Sequence, residues 1–354
     1  MNNLSLTWSA KNHLKFINKK INFPIPKENI LIKVKSVSIC GSDLRILKNG
    51  SKRVKSGRTI GHELSGTVYQ IGPDVKTFKV GDTVSLGADF PCEKCYYCEN
   101  DQSNNCIHNS AIGHEKEGGF AKFILLDKDF LSAGPIKKFD NRKISFDEAC
   151  LAEPLACCLN GFSKVGNVSN KNVLIFGAGS IGNLLCMLAL NYKANKVFLA
   201  DIDQKKLNIS KKIHGKNVIM INTKKKNLKK TILNKTDKLG CQTIFTACSN
   251  ISAIKDSFEI LSKNSCLNIF GGLPKNQKMK LNLLPNFFHY NEVTITGSHG
   301  STPKQHINAI NLIEKKKIKV KKIISKKFEF KDSLKAFEYA KNSNTIKVVI
   351  NPNE

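Results

Sequence analysis

The feature that most narrows the fold is a glycine turn, Gly177-Ala178-Gly179-Ser180-Ile181-Gly182, set between an apolar run and an amphipathic segment. Before it, Val173-Leu174-Ile175-Phe176 reads as a buried strand; after it, Ile181, Leu184, Leu185, Leu188, Ala189 and Tyr192 recur at helical spacing. In a strand, turn and helix of this kind, the first glycine permits the tight turn, the second lets a pyrophosphate approach the backbone and the third allows close helix packing. Phosphate then meets the helix N-terminus. The next strand, Lys196 to Ala200, leads into Asp201, where a carboxylate can accept hydrogen bonds from an adenosine ribose. Gly177, Gly179, Ser180, Ile181, Gly182 and Asp201 are therefore the candidate cofactor-binding residues. A carboxylate at Asp201 repels the 2′-phosphate of NADP and favours NAD, while Lys205 and Lys206 act in the opposite sense.

Two further apolar runs, Gln242 to Ala247 and Cys266 to Phe270, with a helical pattern from Ile254 to Leu261 between them, continue the alternation and predict a parallel sheet. The first third differs. From Ile30 to about Leu126 short alternating segments are punctuated by glycine: Ile30, Ile32 and Val34; Gly66 to Val68; Ile71-Gly72; Val80 to Val84. That spacing predicts an irregular β barrel. A chain of 354 residues is long enough to bury two cores.

The 12 cysteines are read from their spacing. Cys92, Cys95, Cys98 and Cys106 place four thiolates in one polar loop, an arrangement suited to closed tetrahedral zinc. The rival, an iron–sulfur cluster, uses a shorter last spacing followed by proline, where this chain has Ile107. Elsewhere Cys40 ends a strand and His62-Glu63 follows Gly61; with Glu153 they form a Cys, His and carboxylate set that suits a zinc with an open position. The remaining cysteines lie mostly in apolar segments and pack.

The formal charge is +29, which would ordinarily prompt a search for nucleic acid or a membrane surface. Only Arg45, Arg53, Arg58 and Arg142 of the 57 basic residues are arginines, and base-edge readout relies on the guanidinium fork. Lysines spread along the whole chain read as solvated faces, and no specific nucleic-acid partner is expected. Lysines interrupt the segment from Met1 to Lys20, so neither a signal peptide nor a membrane span is expected, and the cysteine usage points to a reducing cytoplasm.

Together these motifs resemble the zinc-dependent medium-chain alcohol dehydrogenase superfamily over essentially the whole chain. The residues carrying the resemblance are Cys40-Gly-Ser-Asp43, Gly61-His-Glu-Leu-Ser-Gly66, the four-cysteine loop, Glu153-Pro-Leu-Ala156, the turn at Gly177 and Phe270-Gly-Gly272. It implies an α/β protein: a GroES-like, β-rich catalytic domain over residues 1–154, a Rossmann doubly wound parallel sheet over 155–295, and a segment, 296–354, whose last strand, Ile346 to Ile350, returns to the catalytic domain. Glu63 after the histidine, with Glu-Pro-Leu-Ala, resembles the polyol branch: sorbitol or L-iditol, galactitol-phosphate and inositol-type dehydrogenases. L-Threonine dehydrogenases share Gly-His-Glu but carry Asp-Pro-Phe-Gly where this chain has Glu153-Pro-Leu-Ala.

The resemblance implies two zinc ions per subunit, NAD, a small polyol or sugar substrate, phosphorylated or free, and a homo-oligomer, dimer or tetramer. Cys40, His62 and a carboxylate, Glu63 or Glu153, would hold the catalytic zinc, which acts as a Lewis acid on the substrate hydroxyl. Ser42 would accept the proton, with Glu153 as its catalytic companion. Arg45 stands where many members have a histidine that passes the proton outward. Ser298 and His299 are candidates for bonding vicinal hydroxyls or simply end a strand, and Phe120 either walls the pocket or packs. The alternatives are an L-threonine 3-dehydrogenase and, in a different class, a dehydrogenase-like fold recruited to bind nucleic acid.

Overall fold

Ile30–Ser38 places β-branched Ile30, Ile32 and Val34 at alternate positions and is buried at all but Lys33 and Lys35, and the first of two chain units assembles around it. A computed structural model of the chain describes residues 1–274, 285–342 and 344–353. The first unit comprises Met1–Ala156 with Gly300–Glu354, the second Cys157–His299.

In the first unit a mixed sheet runs in the order Ile136–Lys138, Thr83–Leu86, Glu63–Ile71, Ile30–Ser38, Lys347–Asn351, Ile324–Glu329, with Phe123–Leu126 also paired to Ile30–Ser38. A second sheet joins His13–Lys20, Asn2–Ala10 and Arg58–Thr59. The expected barrel is therefore, among the described residues, an open hydrogen-bonded path. Two register shifts in Ile30–Ser38, at Leu31/Ile32 and Val34/Ser36, disturb the ladder as bulges do and bend the central strand. The core includes Ile30, Ile32, Val34, Leu64, Leu86, Phe120 and Phe337. The strand expected from Val80 begins only at Thr83, because Gly81, at φ +94°, turns the chain and donates to the Val68 carbonyl.

The second unit holds six parallel strands in the order Ile219–Asn222, Lys196–Asp201, Asn172–Phe176, Cys241–Thr246, Leu261–Ile269, Thr294–Gly297. Reading outward from Asn172–Phe176, the chain fills one side of the sheet and then the other, the doubly wound order with a switch point beside that first strand. One helix boundary differs from the sequence expectation. The helix runs Ile251–Phe258, and Leu261 already pairs with Cys241, so sheet pairing overrides the local helical pattern there. Among the described residues no helix is long and apolar enough to cross a membrane.

Candidate functional site

Cys40 does not end a strand, as its apolar neighbours suggested. The strand stops at Ser38, and Cys40 is the N-cap of the helix Gly41–Asn49. Asp43, one turn in, accepts a hydrogen bond from the Cys40 N–H at 2.9 Å and so fixes the sulfur-bearing residue at the helix mouth. His62 follows Gly61, whose φ is +94°, and a Cβ there would come within 2.6 Å of the Phe120 ring. Only glycine turns the chain this tightly against that ring. Glu63 opens the next strand, paired with Ser38, and Glu153 sits in the first turn of the helix Ala152–Val165.

These elements bring ligand atoms of Cys40, His62 and Glu63 within 4.8 Å of one another. His62, Glu63 and Glu153 are all at most 6% exposed. Ser42 Oγ lies 3.3 Å from His62 Nε2, while Asp43 Oδ1 lies 3.6 Å from Nδ1 on the other side of the ring. Burial alone would push the imidazole pKa down, but Asp43 and the Cys40 sulfur outweigh it and hold it well above the usual value. Burial raises the Asp43 carboxyl, with His62 opposing.

The two glutamates are not equivalent. Lys347, buried on the C-terminal strand, donates to both Glu63 oxygens at 2.9 and 2.7 Å and to the Ile39 carbonyl at 3.2 Å. Ser38 Oγ also donates to Glu63. Burial lifts Glu153 to about 7, with His62 pulling the other way and the charges of Glu63 and Asp89 adding to the rise. Glu153 thus answers to the same charges but is not in the three-atom cluster. Sequence reasoning missed Asp43 and Lys347. It also missed His114, whose ring stands 5.5 Å from that of His62 and is pushed down to about 4 by burial and by His62.

The four-cysteine loop also converges, with the sulfurs of Cys92, Cys95, Cys98 and Cys106 within 4.8 Å of one another. The strand pair Asp89–Phe90 and Ser110–Ala111 closes its base, and the short helix Tyr96–Glu99 begins on Cys95. Backbone N–H groups of Cys98 and Ile107 pull the Cys95 thiol down to about 6, while burial pushes Cys98 up to about 12. A thiol drawn toward thiolate beside thiols that resist ionisation is an arrangement that could take a cation, the ligands ionising together on binding.

In the second unit, Gly177 has φ +102° and donates to the Ala200 carbonyl at 2.8 Å. A Cβ at Gly182 would fall 1.8 Å from the Gly177 carbonyl oxygen, so the helix Ser180–Asn191 rests directly on the turn. A Cβ at Gly179 would meet nothing within 4 Å, and the helix has no side-chain cap at that residue. Open space therefore lies beside uncapped first-turn N–H groups of Ser180 and Ile181. Asp201 accepts from Ala178 N at 2.6 Å and from Asp203 N at 2.8 Å, which locks the turn to the next strand and leaves further carboxylate lone pairs.

Other sequence candidates are engaged structurally. Phe120 is fully buried, 5.2 Å from the Phe337 ring, and packs. Ser298 Oγ donates to Asn268 Oδ1 at 2.8 Å, and the His299 carbonyl accepts from Asn160 Nδ2 at 3.0 Å. Arg45 is exposed one helical turn beyond Ser42.

Residues 26–136 match the alcohol dehydrogenase GroES-like domain and residues 180–315 the zinc-binding dehydrogenase domain. D-Arabitol-phosphate dehydrogenase of Enterococcus avium is 30% identical over 339 residues, spanning 94% of this chain and 93% of the relative. Sorbitol dehydrogenase of Halalkalibacterium halodurans is 26% identical, spanning 93% of each. Galactitol-1-phosphate dehydrogenase of Escherichia coli has the same fold, with a TM-score of 0.84 at 22% identity over 99% of this chain and 100% of that one. With both domain types matched, and a relative this similar over nearly its full length, the chain belongs to the zinc-binding alcohol dehydrogenase family.

Proposed function

We propose that the chain transfers hydride between a secondary alcohol of a polyol or sugar, free or phosphorylated, and NAD. The observation that carries this reading is the buried meeting of Cys40, His62 and Glu63, with Asp43 behind the imidazole. One thiolate, one imidazole and a carboxylate suit zinc with a position left for substrate. His62 Nδ1 and Asp43 Oδ1, both buried and without a hydrogen bond in this structure, fit a ring oriented from behind for ligation through Nε2. Cys40, His62 and either Glu63 or Glu153 would hold this zinc, and Cys92, Cys95, Cys98 and Cys106 a structural one. The open space at Gly179 beside the uncapped helix fits a pyrophosphate, with Asp201 toward the ribose.

Bound zinc supplies Lewis acidity that lowers the pKa of an alcohol, and bound NAD supplies the hydride acceptor. The protein's part is positioning and proton handling. Ser42 Oγ, beside His62 Nε2, acts as a relay, accepting the proton of the substrate hydroxyl as it releases its own hydroxyl proton. Arg45 cannot receive it onward, since a guanidinium stays protonated, so the proton leaves to solvent. Asp43 holds the ring that neighbours Ser42, and Lys347 balances the charge of Glu63. Burial of Glu153 near neutrality lets it hold or release a proton at working pH.

The polyol class is supported by relatives named for arabitol phosphate and sorbitol, and by Glu153-Pro-Leu-Ala156 in place of the threonine-type sequence. Twelve cysteines free of disulfides suit a cytoplasmic enzyme, and a homo-oligomer, dimer or tetramer, is expected by sedimentation. The test is NADH formation across free polyols, inositols, polyol phosphates and threonine, with metal analysis of wild type and Cys40→Ala. Polyol-dependent NADH that disappears in Cys40→Ala together with one zinc equivalent supports the reading. Activity on threonine alone, or salt-steep DNA binding without any alcohol oxidation, replaces it.

A further inference from the structure

Eight lysines occupy residues 315–327, with no acidic residue among them. The segment is anchored rather than loose: Ile318, Val320 and Ile323 are at most 1% exposed, while all eight lysines are exposed. The 3-10 turn Val320–Ile323 fixes the spacing between them. Burying the three aliphatic side chains thus holds like charges close together, where a flexible tail would let them spread. Lys316, Lys319, Lys321, Lys322 and Glu148 line an open concavity of about 420 Å³. Glu148 is the sole carboxylate there and is already committed, accepting from Ser145 N and Oγ at 3.1 and 3.0 Å and lying 3.7 Å from Lys316. Lys319 and Lys321 have no ion-pair partner among the described residues.

We propose that this concavity binds a phosphate-dense anion of the oligophosphate class. Its volume lies within the range of roughly 300–1,000 Å³ usual for small-molecule sites. Its lining is ionic, so charge supplies the recognition. Ammonium groups are compact point charges with three donors each and can meet phosphate oxygens from several directions without a fixed fork geometry. Neither arginine nor an aromatic residue lines it, the groups that a nucleic-acid groove uses for base edges and stacking. An anion carrying several charges in a small volume relieves the mutual repulsion of the lysines at once.

Calorimetric titration of the full-length zinc-loaded chain with inorganic tripolyphosphate, at about 50 and 200 mM salt, tests this. The expected result is saturable binding that weakens at the higher salt and falls by about 10-fold or more in Lys319→Gln/Lys321→Gln/Lys322→Gln. A Lys224→Gln/Lys225→Gln/Lys226→Gln variant, which removes an equal charge from an exposed run in the other unit, should change binding by less than about 2-fold. Lys319→Arg/Lys321→Arg/Lys322→Arg keeps the charge and should keep binding, which separates charge loss from misfolding. Equal weakening in both glutamine variants, or no saturable binding, overturns the proposal. So does a single-stranded RNA or an acidic peptide of equal charge that binds more tightly than tripolyphosphate through these lysines.

Discussion

Replacing Lys347 with methionine removes the cation that neutralises Glu63 inside the first unit. The side chains of the pair are 2% and 1% exposed, and the ammonium sits 2.7 and 2.9 Å from the two carboxylate oxygens. At such distances the gross attraction is about 6 kcal/mol for an effective dielectric near 20, most of it spent on desolvating the two ions. Removing one partner leaves the desolvation cost of the other uncompensated, about 3–5 kcal/mol. Ser38 still donates to Glu63, so the lower end, about 3 kcal/mol, is expected. Glu63→Gln added to Lys347→Met removes the stranded charge while an amide oxygen still accepts from Ser38. That double variant should regain about 2 kcal/mol or more. The assay is urea unfolding followed by the fluorescence of Trp8, the chain's single tryptophan, which packs in the core of this same unit. A chelator throughout keeps metal binding from adding to any one variant. A single variant that loses less than about 1 kcal/mol, or a double variant no more stable than the single, would refute the argument.

Three further outcomes follow from named contacts. Asp201→Ala should erode the preference for NAD over NADP and raise KM for both, because the turn at Ala178 loses its carboxylate anchor; unchanged kinetics with both cofactors would count against a role for Asp201 in binding. Cys98→Ala should release one zinc equivalent while Cys40 chemistry remains, read by metal analysis and by thiol titration of Cys92, Cys95 and Cys106; full retention of zinc would exclude the tetrathiolate. Burial pushes His306 down to about 4, so between about 6.5 and 4 the unfolded chain binds a proton that the folded chain does not. Stability should therefore fall as pH drops through that window, by about 3 kcal/mol in all, and His306→Gln should flatten the fall; an identical pH profile in the variant would contradict it.

The second unit was legible because its signals are local. Strand, glycine turn and helix lie within twenty residues, and the contacts that make glycine necessary, Gly182 on the Gly177 carbonyl, join residues five apart. The four-cysteine loop is legible for the same reason. The first unit was read less well. Its central strand takes partners from residues 63–71, 123–126 and 347–351, and no periodicity announces which segments will meet. Cys40 was misread as a strand end because Val37 and Ile39 continue the alternation, whereas the capping contact from Asp43 decides the matter three residues later.

The same distinction explains why the sequence left Glu63 and Glu153 interchangeable. Both are carboxylates beside ligand-like residues, and what separates them is a lysine 284 residues away from Glu63, delivered by the pairing of the C-terminal strand with Ile30–Ser38. Glu63 is paired with that lysine, whereas burial lifts Glu153 to about 7, with Glu63 adding a smaller push. A metal ion drawing on Glu153 must displace a proton near pH 7, and one drawing on Glu63 must loosen its bond to Lys347. The C-terminal strand therefore acts on the site without supplying a ligand to it: Lys347 pairs with one glutamate and draws the proton affinity of the other down, against the larger rise that burial imposes.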